Sequence, residues 1–165
     1  MHTGCMEMPS PHAAFENTWC FSAYLRDPRS RLLVEQADVL RRAFRIARQT
    51  RPFVLRAIVV LPSQLHGVWT LPPGDEEGES RWRQIQAVFD RQLPGQPPRA
   101  LLRRDRCARP LWQADFPQQR VTDAEDLQRQ IARVHHSPVQ QGHVREPAHW
   151  RYSSIHRRRA GREVE

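Results

Sequence analysis

Residues 58–71 read IVVLPSQLHGVWTL, in which a short polar interruption with one histidine separates two apolar runs. The β-branched and large apolar residues on both sides favour two strands separated by an interruption at Pro62, Ser63 and Gln64. The longer segments that contain these runs are FVLRAIVVLP and LHGVWTLP, and they predict an antiparallel pair of strands at the centre of a sheet. Because alternate side chains of a strand share a face, Gln64 and His66 are expected to converge above that sheet.

The segments around this pair predict the rest of the fold. Residues 18–25, TWCFSAYL, favour a first strand, and residues 33–49 carry apolar side chains at spacings of three and four, which predicts an amphipathic helix. A second helix is predicted over about residues 79–93. The segment LWQADFPQQRV is a further strand candidate, which Pro117 would confine to an edge or break.

A last helix is predicted from a T-x-x-E capping box, Thr122 to Glu125, up to the breaker formed by Ser137 and Pro138. The predicted order is strand, helix, strand, strand, helix, strand, helix. Since strands do not alternate strictly with helices, we expect an α+β fold with a single antiparallel sheet and packed helices.

The chain has 165 residues, of which 39% are hydrophobic, and this predicts one domain with one core. We expect a mobile leader over residues 1–16 and the domain over residues 17–150. Within the domain, the proline and arginine content of residues 94–110 predicts a basic loop. Residues 151–165 form a basic C-terminal tail.

Three cysteines are scattered along the chain without a C-x-x-C pair, at positions Cys5, Cys20 and Cys107. This pattern predicts neither a disulfide framework nor a zinc site, and it favours a reduced, cytoplasmic protein. No apolar run reaches the roughly 18 residues of a spanning helix, so we expect no signal peptide and no membrane anchor.

The formal net charge of +8 comes from arginine, because the chain contains no lysine. Arginine binds phosphate in a bidentate way and stacks on bases, so nucleic acid is a better expected partner than an anionic membrane. A GC-rich coding sequence would also encode basic residues as arginine rather than lysine. The absence of lysine is therefore open to this second interpretation. The arginines expected to contact phosphate are Arg103, Arg104, Arg106 and Arg109 in the loop and Arg157, Arg158 and Arg159 in the tail.

Two chemical interpretations are open for the turn. One imidazole beside one amide oxygen is a weak ligand pair for a hard cation, although two histidines at this spacing would suit a divalent metal. The spacing alone therefore favours a hydrogen-bonded, half-buried His66 over a metal site at Gln64 and His66.

Several stretches, in unbroken order over most of residues 18–157, resemble the REP-associated tyrosine transposases, relatives of the single-tyrosine insertion-sequence transposases of the HUH class. They are RLLVEQADVLRRAFRIARQTRPFVLRA, AIVVLPSQLHGVWTLPPGDEEGESRWRQIQAVF, PLWQADF and HSPVQQGHVREPAHWRYSSIHR. The last of these is similar to the family's Asn-Pro-Val and Trp-x-x-Ser-x-x-His ending.

The resemblance implies a ferredoxin-like or RRM-like HUH fold with a His-hydrophobic-His metal site for Mg²⁺ or Mn²⁺. It also implies a tyrosine on a late helix that attacks a DNA phosphate and leaves a 5′-phosphotyrosine. The implied partner is single-stranded or hairpin DNA, with a possible homodimer. A cytoplasmic, nucleoid-associated location is the corresponding expectation.

The metal positions of the family are only half kept in this sequence. The first histidine of the pair falls on Gln64 and the second on His66. The family's glutamate and histidine after the Trp-Gln strand fall on Gln118 and Gln119. We therefore expect a degenerate site for Mg²⁺ or Mn²⁺.

The nucleophile position is also changed. The family's Tyr-Ile-x-x-Asn-Pro-Val places its tyrosine on Arg133 and its asparagine on Ser137. An arginine stays protonated and has no lone pair to offer, so it is not expected to act as nucleophile. The resemblance therefore predicts a DNA-binding protein with impaired cleavage, in which Arg133 contacts a phosphate.

An active metal-dependent transposase with an unconventional nucleophile is the alternative. Its candidate nucleophiles are the two tyrosines of the chain and two histidines beside the changed position: Tyr24, Tyr152, His135 and His136. For the two histidines, stabilisation of a helix end by their charge is the simpler interpretation.

Overall fold

The turn at Pro62 and Ser63 joins two strands of a four-stranded antiparallel sheet. The computed structural model describes residues 15–95 and 110–159, the last two by backbone alone. The strands are β1 Thr18–Tyr24, β2 Val54–Val60, β3 Gln64–Thr70 and β4 Gln118–Arg120, in the sheet order β2-β3-β1-β4. The helices are α1 Leu32–Glu35, α2 Ala37–Thr50, α3 Gly78–Gln92, α4 Ala124–Gln140 and α5 Ile155–Arg159, with a 3-10 turn at Pro147–His149.

Alternation along β3 separates the two faces of the sheet. Leu65 and Trp69 point into a core that is closed by α2 and α3. Val68 points to the opposite face, where it packs with Ile131 and Val134 of α4. The predicted α+β fold with a single antiparallel sheet and packed helices is confirmed.

Strand β2 lies at an edge of the sheet, and its predicted central place was wrong. Strand β1 pairs with the other side of β3, and together they form the centre. The outer edge of β2 is covered by the C-terminal segment, since the Val60 amide donates to the Tyr152 carbonyl at 2.9 Å and the Ser154 amide donates to the Ile58 carbonyl at 2.9 Å. Strand order depends on long-range pairing, which local sequence does not specify.

The helix predicted over residues 33–49 is divided at Gln36, whose φ of −112° and ψ of 32° separate α1 from α2. The Leu33 amide donates to the Pro62 carbonyl at 3.2 Å, which ties α1 to the β2-β3 turn. The second predicted helix matches α3 closely. Strand β4 begins after Pro117 and lies at the other edge of the sheet, as the proline predicted.

Both predicted ends of the last helix were wrong by a short distance. Its N-cap is Asp123, which accepts the Asp126 amide at 2.7 Å, while Asp126 accepts the Thr122 amide at 3.0 Å. The helix continues past Ser137 and Pro138 to Gln140. A proline inside a helix removes one backbone donor, and the next turn is kept by the Gln141 amide, which donates to the Ser137 carbonyl at 3.1 Å.

Residues 1–14, 96–109 and 160–165 lie outside the described ranges, and so do most of the predicted leader and most of the predicted loop. Phe15 packs against the core on the α4 side. Within residues 15–95 and 110–159, no helix has the length and apolarity required to cross a membrane.

Gly67 lies where the Phe21 ring packs directly on the backbone of β3. A Cβ atom at this position would lie 2.5 Å from Phe21 Cζ and 3.1 Å from the Ala57 carbonyl oxygen. We therefore expect Gly67→Ala to lower the free energy of unfolding by about 2 kcal/mol, since the buried ring must shift. Urea denaturation measures this, with Val54→Thr at an exposed β2 position as the control. An unchanged midpoint for Gly67→Ala would contradict the tight packing.

Candidate functional site

A cavity of about 430 Å³ lies between α4 and the face of the sheet on which α4 packs. Its lining includes Gln64 and His66 from β3 and Arg133 and Ser137 from α4. The two residues of β3 are far in the chain from the two of α4, and the structure brings both pairs together. The two glutamines of β4 that follow Pro117, Gln118 and Gln119, also line the cavity.

His66 is held by hydrogen bonds at both ring nitrogens. Nδ1 lies 2.7 Å from Ser22 Oγ, and Nε2 lies 3.0 Å from Gln64 Oε1. Gln64 in turn donates through Nε2 to Gln141 Oε1 at 2.7 Å. A carbonyl oxygen only accepts, so the imidazole carries its proton on Nε2 and accepts the Ser22 hydroxyl at Nδ1. The half-buried, hydrogen-bonded histidine favoured by the spacing is confirmed.

Burial lowers the pKa of His66 from 6.5 to about 4, and the positive charge of Arg133 acts in the same direction. The imidazole is therefore neutral at physiological pH. A neutral His66 agrees with the single proton that its two hydrogen bonds require.

The depressed pKa of His66 predicts a stability that depends on pH. The unfolded chain takes up this proton near pH 6.5 and the folded chain only near pH 4. Stability is full above pH 6.5 and falls between pH 6.5 and pH 4, by as much as about 3 kcal/mol. Urea denaturation at pH 7 and pH 4.5 measures the difference in the free energy of unfolding. In His66→Gln the contribution of the imidazole to that difference should be absent. Equal pH dependence in the variant and the parent would contradict the assignment.

The residues present do not fit a magnesium or manganese site. The imidazole and the amide oxygen that would be its ligands are hydrogen-bonded to each other, and the cavity lining of the described residues contains no carboxylate. Arg133 adds a positive charge close enough to depress the pKa of His66. Hard divalent cations prefer several carboxylate or carbonyl oxygens. No group of three acidic, histidine or cysteine residues that could hold a metal occurs in residues 15–95 and 110–159.

Arg133 is exposed and faces the cavity from the middle of α4. Residues four apart share a helix face, so Ser137 lies beside it on the same side. The Ser137 hydroxyl donates to the Arg133 carbonyl at 3.1 Å and is thereby turned to the helix backbone. Within residues 15–95 and 110–159 the Arg133 guanidinium has no acidic partner within 4.0 Å. It is the one charged side chain among the described lining residues.

The two tyrosines have different surroundings. Tyr24 lines the cavity, and its ring centroid lies 5.9 Å from that of His66 in an edge-on arrangement. Tyr152 lies in the C-terminal segment at the β2 edge and lines a separate groove. Of the two, only Tyr24 lines the cavity.

The histidines and the cysteine near Arg133 are poor nucleophiles. His135 is buried with its Nε2 2.9 Å from Ser154 Oγ, and His136 is exposed and does not line the cavity. Cys20 lines the cavity, but burial, followed by the charge of Asp126, raises its thiol pKa to about 11. The protonated thiol is unreactive at neutral pH.

Only some of the predicted phosphate-binding arginines lie within the residues that the structure describes. Arg157 lines the groove beside β2 rather than the cavity. Arg158 and Arg159 close α5 and are described by their backbone alone. The four predicted loop arginines lie outside the described residues: Arg103, Arg104, Arg106 and Arg109.

Sequence reasoning missed Ser22 and Gln141, which hold His66 and Gln64 in place. Ser22 lies directly opposite His66 in the β1-β3 register. The alternation of β1 would have indicated this contact once the register was known. Gln141 follows the end of α4, and no local pattern in the sequence links it to β3.

Comparison with known proteins places this chain in a family. The chain is 33% identical over 140 residues to the REP-associated tyrosine transposase of Escherichia coli K12, which covers 85% of this chain and 77% of that protein. The chain belongs to the REP-associated tyrosine transposases. A putative REP-associated tyrosine transposase of Haemophilus influenzae is 28% identical over 138 residues, which are 83% of this chain and 78% of that protein.

A solved REP-associated tyrosine transposase bound to a REP hairpin shares the fold. It superposes with a TM-score of 0.75 at 33% identity, over 87% of this chain and 79% of that chain. No protein-family model matches the chain. Family membership of this REP-associated tyrosine transposase thus rests on its sequence relatives and on this structure.

Proposed function

We propose that this chain binds single-stranded or hairpin DNA at the α4 cavity and has lost cleavage through a tyrosine. The observation that carries the proposal is the Arg133 guanidinium, which has no acidic partner within 4.0 Å in residues 15–95 and 110–159. It lies in a cavity whose described lining contains no carboxylate. A guanidinium in such surroundings attracts a phosphate oxygen and offers it paired N–H donors. A solved family member carries a REP hairpin, which supports the same class of partner here.

The proposed loss of cleavage follows from the chemistry of the cavity. Strand transfer by this family requires a hydroxyl that attacks phosphorus, and Arg133 has no such group. His66 and Gln64 form a hydrogen-bonded pair instead of a metal site. The arrangement therefore binds and orients a phosphate without activating it.

An active enzyme is the second candidate, and it is favoured by the position of Tyr24. Its ring lies 5.9 Å from the His66 ring at the edge of the cavity. In that case the Tyr24 oxygen would bond to phosphorus as the P–O3′ bond breaks. The downstream strand would stay linked to Tyr24 through its 5′ phosphate, and the upstream strand would leave with a 3′-hydroxyl that takes up the tyrosine proton. Binding to chromosomal DNA would in either case place the protein at the nucleoid, and the predicted homodimer stays a prediction.

A labelled hairpin panel separates these functions. Hairpins labelled at the 5′ or 3′ end are incubated with purified protein and either Mg²⁺ or Mn²⁺, and the samples are run on native and denaturing gels. We expect a shifted but intact hairpin. A cleaved strand or a protein-linked label that disappears in Tyr24→Phe would establish the second candidate, and absence of any shift would overturn both.

Rebuilding the family residues tests why cleavage was lost. The double variant Gln64→His and Arg133→Tyr supplies a second imidazole and a phenolic hydroxyl at the two changed positions. We expect a protein-linked label in Mn²⁺ that the parent does not form, measured on denaturing gels. Arg133→Phe with Gln64→His is the control without the hydroxyl. A folded, DNA-bound double variant without adduct would show that other changes, such as those at Gln118 and Gln119, also block the reaction.

A further inference from the structure

A second concave surface lies on the opposite face of the sheet from the cavity, beside the β2 edge. It is a groove of about 110 Å³ between α2 and residues 151–157. Its floor is made of apolar side chains: Leu40, Phe44, Phe53, Leu55, Ile58 and Val60. Five arginines line its sides: Arg41, Arg45, Arg48, Arg151 and Arg157. We call this surface the arginine groove.

The arginine groove has little compensating negative charge. Arg41 pairs with Asp38 at 3.4 Å, and both side chains are largely exposed, so the pair is weak. Within residues 15–95 and 110–159, neither Arg45 nor Arg48 has an acidic partner within 4.0 Å. The described lining contains no carboxylate. The groove therefore attracts an anionic partner.

The arginines of α2 form a row along one side of the groove. Arg41, Arg45 and Arg48 follow one another at spacings of four and three residues, which places them on one face of the helix. With a rise of about 1.5 Å per residue the row is about 10 Å long, the length of about two helical turns. A partner that matches the row carries several negative charges over that distance.

The β2 edge beside the groove is closed to a further strand. The Val60 amide donates to the Tyr152 carbonyl at 2.9 Å, and the Ser154 amide donates to the Ile58 carbonyl at 2.9 Å. A peptide that binds here cannot pair with this part of β2 through its backbone. It binds through its side chains, as an amphipathic helix does in an apolar groove.

The polar groups of the groove are poorly suited to reading a nucleic-acid base. Ser154 Oγ accepts the Ile58 amide at 2.9 Å and lies 2.9 Å from His135 Nε2, so this hydroxyl is engaged. No asparagine or glutamine occurs in the described lining, whereas six glutamines line the α4 cavity. Side-chain amides are among the groups that pair with base edges. The floor suits aliphatic side chains instead.

We propose that the arginine groove docks an acidic amphipathic helix of a partner protein. The apolar side chains of that helix enter the floor, and its carboxylates pair with the arginines on the two sides. Nucleic acid supplies the negative charge but no aliphatic side chain for the floor. Because the groove lies on the face of the sheet away from the α4 cavity, the inference goes beyond the DNA binding proposed above.

A synthetic helix serves as the probe. It is a fluorescent, hydrocarbon-stapled peptide with leucines at positions i, i+3, i+4 and i+7 and glutamates elsewhere. We expect saturable binding to the full chain by fluorescence anisotropy. Replacing the leucines by alanine should weaken binding at least about tenfold, because apolar burial in the floor is lost. Replacing the glutamates by glutamine should weaken it about tenfold, because the charge pairs are lost.

Protein variants locate the binding surface. For Arg45→Gln with Arg48→Gln we expect about tenfold weaker binding of the leucine-glutamate peptide. Arg42→Gln with Arg91→Gln is the matched control, because it removes the same charge at exposed positions that do not line the groove. The control should bind within about twofold of the parent. Thermal unfolding of both variants checks that the fold is kept.

Four results would overturn the docking of a helix. The first is absence of saturable peptide binding to the parent. The second is an alanine-glutamate peptide that binds as tightly as the leucine-glutamate peptide, and the third is equal weakening in the two double variants. The fourth is displacement of the peptide by hairpin DNA, which would assign the groove to nucleic acid. The first three leave the DNA binding proposed for the α4 cavity intact, since that binding is measured with the labelled hairpins.

Discussion

Charge reversal at Arg133 is expected to lower the affinity for hairpin DNA by about a hundredfold at physiological salt, which corresponds to about 2.7 kcal/mol. The cavity has no other charged side chain in its described lining, so Arg133→Glu replaces its one cation by an anion facing the phosphate. The milder Arg133→Gln should weaken binding about tenfold and reduce the salt slope by about 0.7 to 0.9, the value for one phosphate contact.

Arg42→Glu is the matched control for this reversal. It makes the same change of net charge at an exposed position of α2 that does not line the cavity. Anisotropy titrations at several salt concentrations measure all three variants. If Arg133→Glu and Arg42→Glu weaken binding equally, the effect belongs to overall charge, and the proposed phosphate contact at Arg133 is wrong.

Removal of the Asp75 carboxylate is expected to cost about 3 to 5 kcal/mol of stability, because it leaves a buried guanidinium without its counter-ion. The Arg81 side chain is 1% exposed. It donates to Asp75 Oδ1 at 2.9 Å and to Oδ2 at 2.6 Å, and to the Pro52 carbonyl at 3.1 Å. These bonds join the start of α3 to the segment that leads into β2.

Asp38→Ala is the control for Asp75→Ala, since it removes an exposed carboxylate whose pair with Arg41 is largely solvated. Urea denaturation should show a change within about 0.5 kcal/mol for the control. The double variant Asp75→Ala with Arg81→Met should regain part of the loss, because the buried charge is gone as well. A single Asp75→Ala variant as stable as the control would contradict the buried pair.

The ion pair of Asp75 and Arg81 predicts a loss of stability in acid. Hydrogen bonds from Arg81, followed by one from the Glu77 amide, lower the pKa of Asp75 from 3.8 to about 2. A carboxyl group with a depressed pKa stabilises the folded state fully above its unfolded pKa, so this contribution is lost as pH falls from 3.8 to 2. The difference in the free energy of unfolding between the parent and Asp75→Ala should therefore become smaller as the pH falls over that interval.

The sequence by itself determined the local elements and the family. The two apolar, β-rich runs on either side of Pro62 predicted the β2-β3 pair. The two-residue spacing of Gln64 and His66 predicted their convergence, which the 3.0 Å contact confirms. These features depend on residues close in the chain, and their geometry follows from the period of a strand. The resemblance to the family could also be recognised from order and motif alone.

The tertiary structure decided which distant residues share a surface. It placed β2 at an edge, brought Arg133 and His66 into one cavity, and formed a second groove between α2 and residues 151–157. From the sequence, the arginines of α2 are expected to form the solvated face of an amphipathic helix. The residues that share the groove with them lie about a hundred positions later in the chain. Strand order and register depend on long-range pairing and side-chain packing, to which local propensity contributes little. For that reason the spacing of residues predicted the parts of the site, and only the folded chain showed which of them face one another.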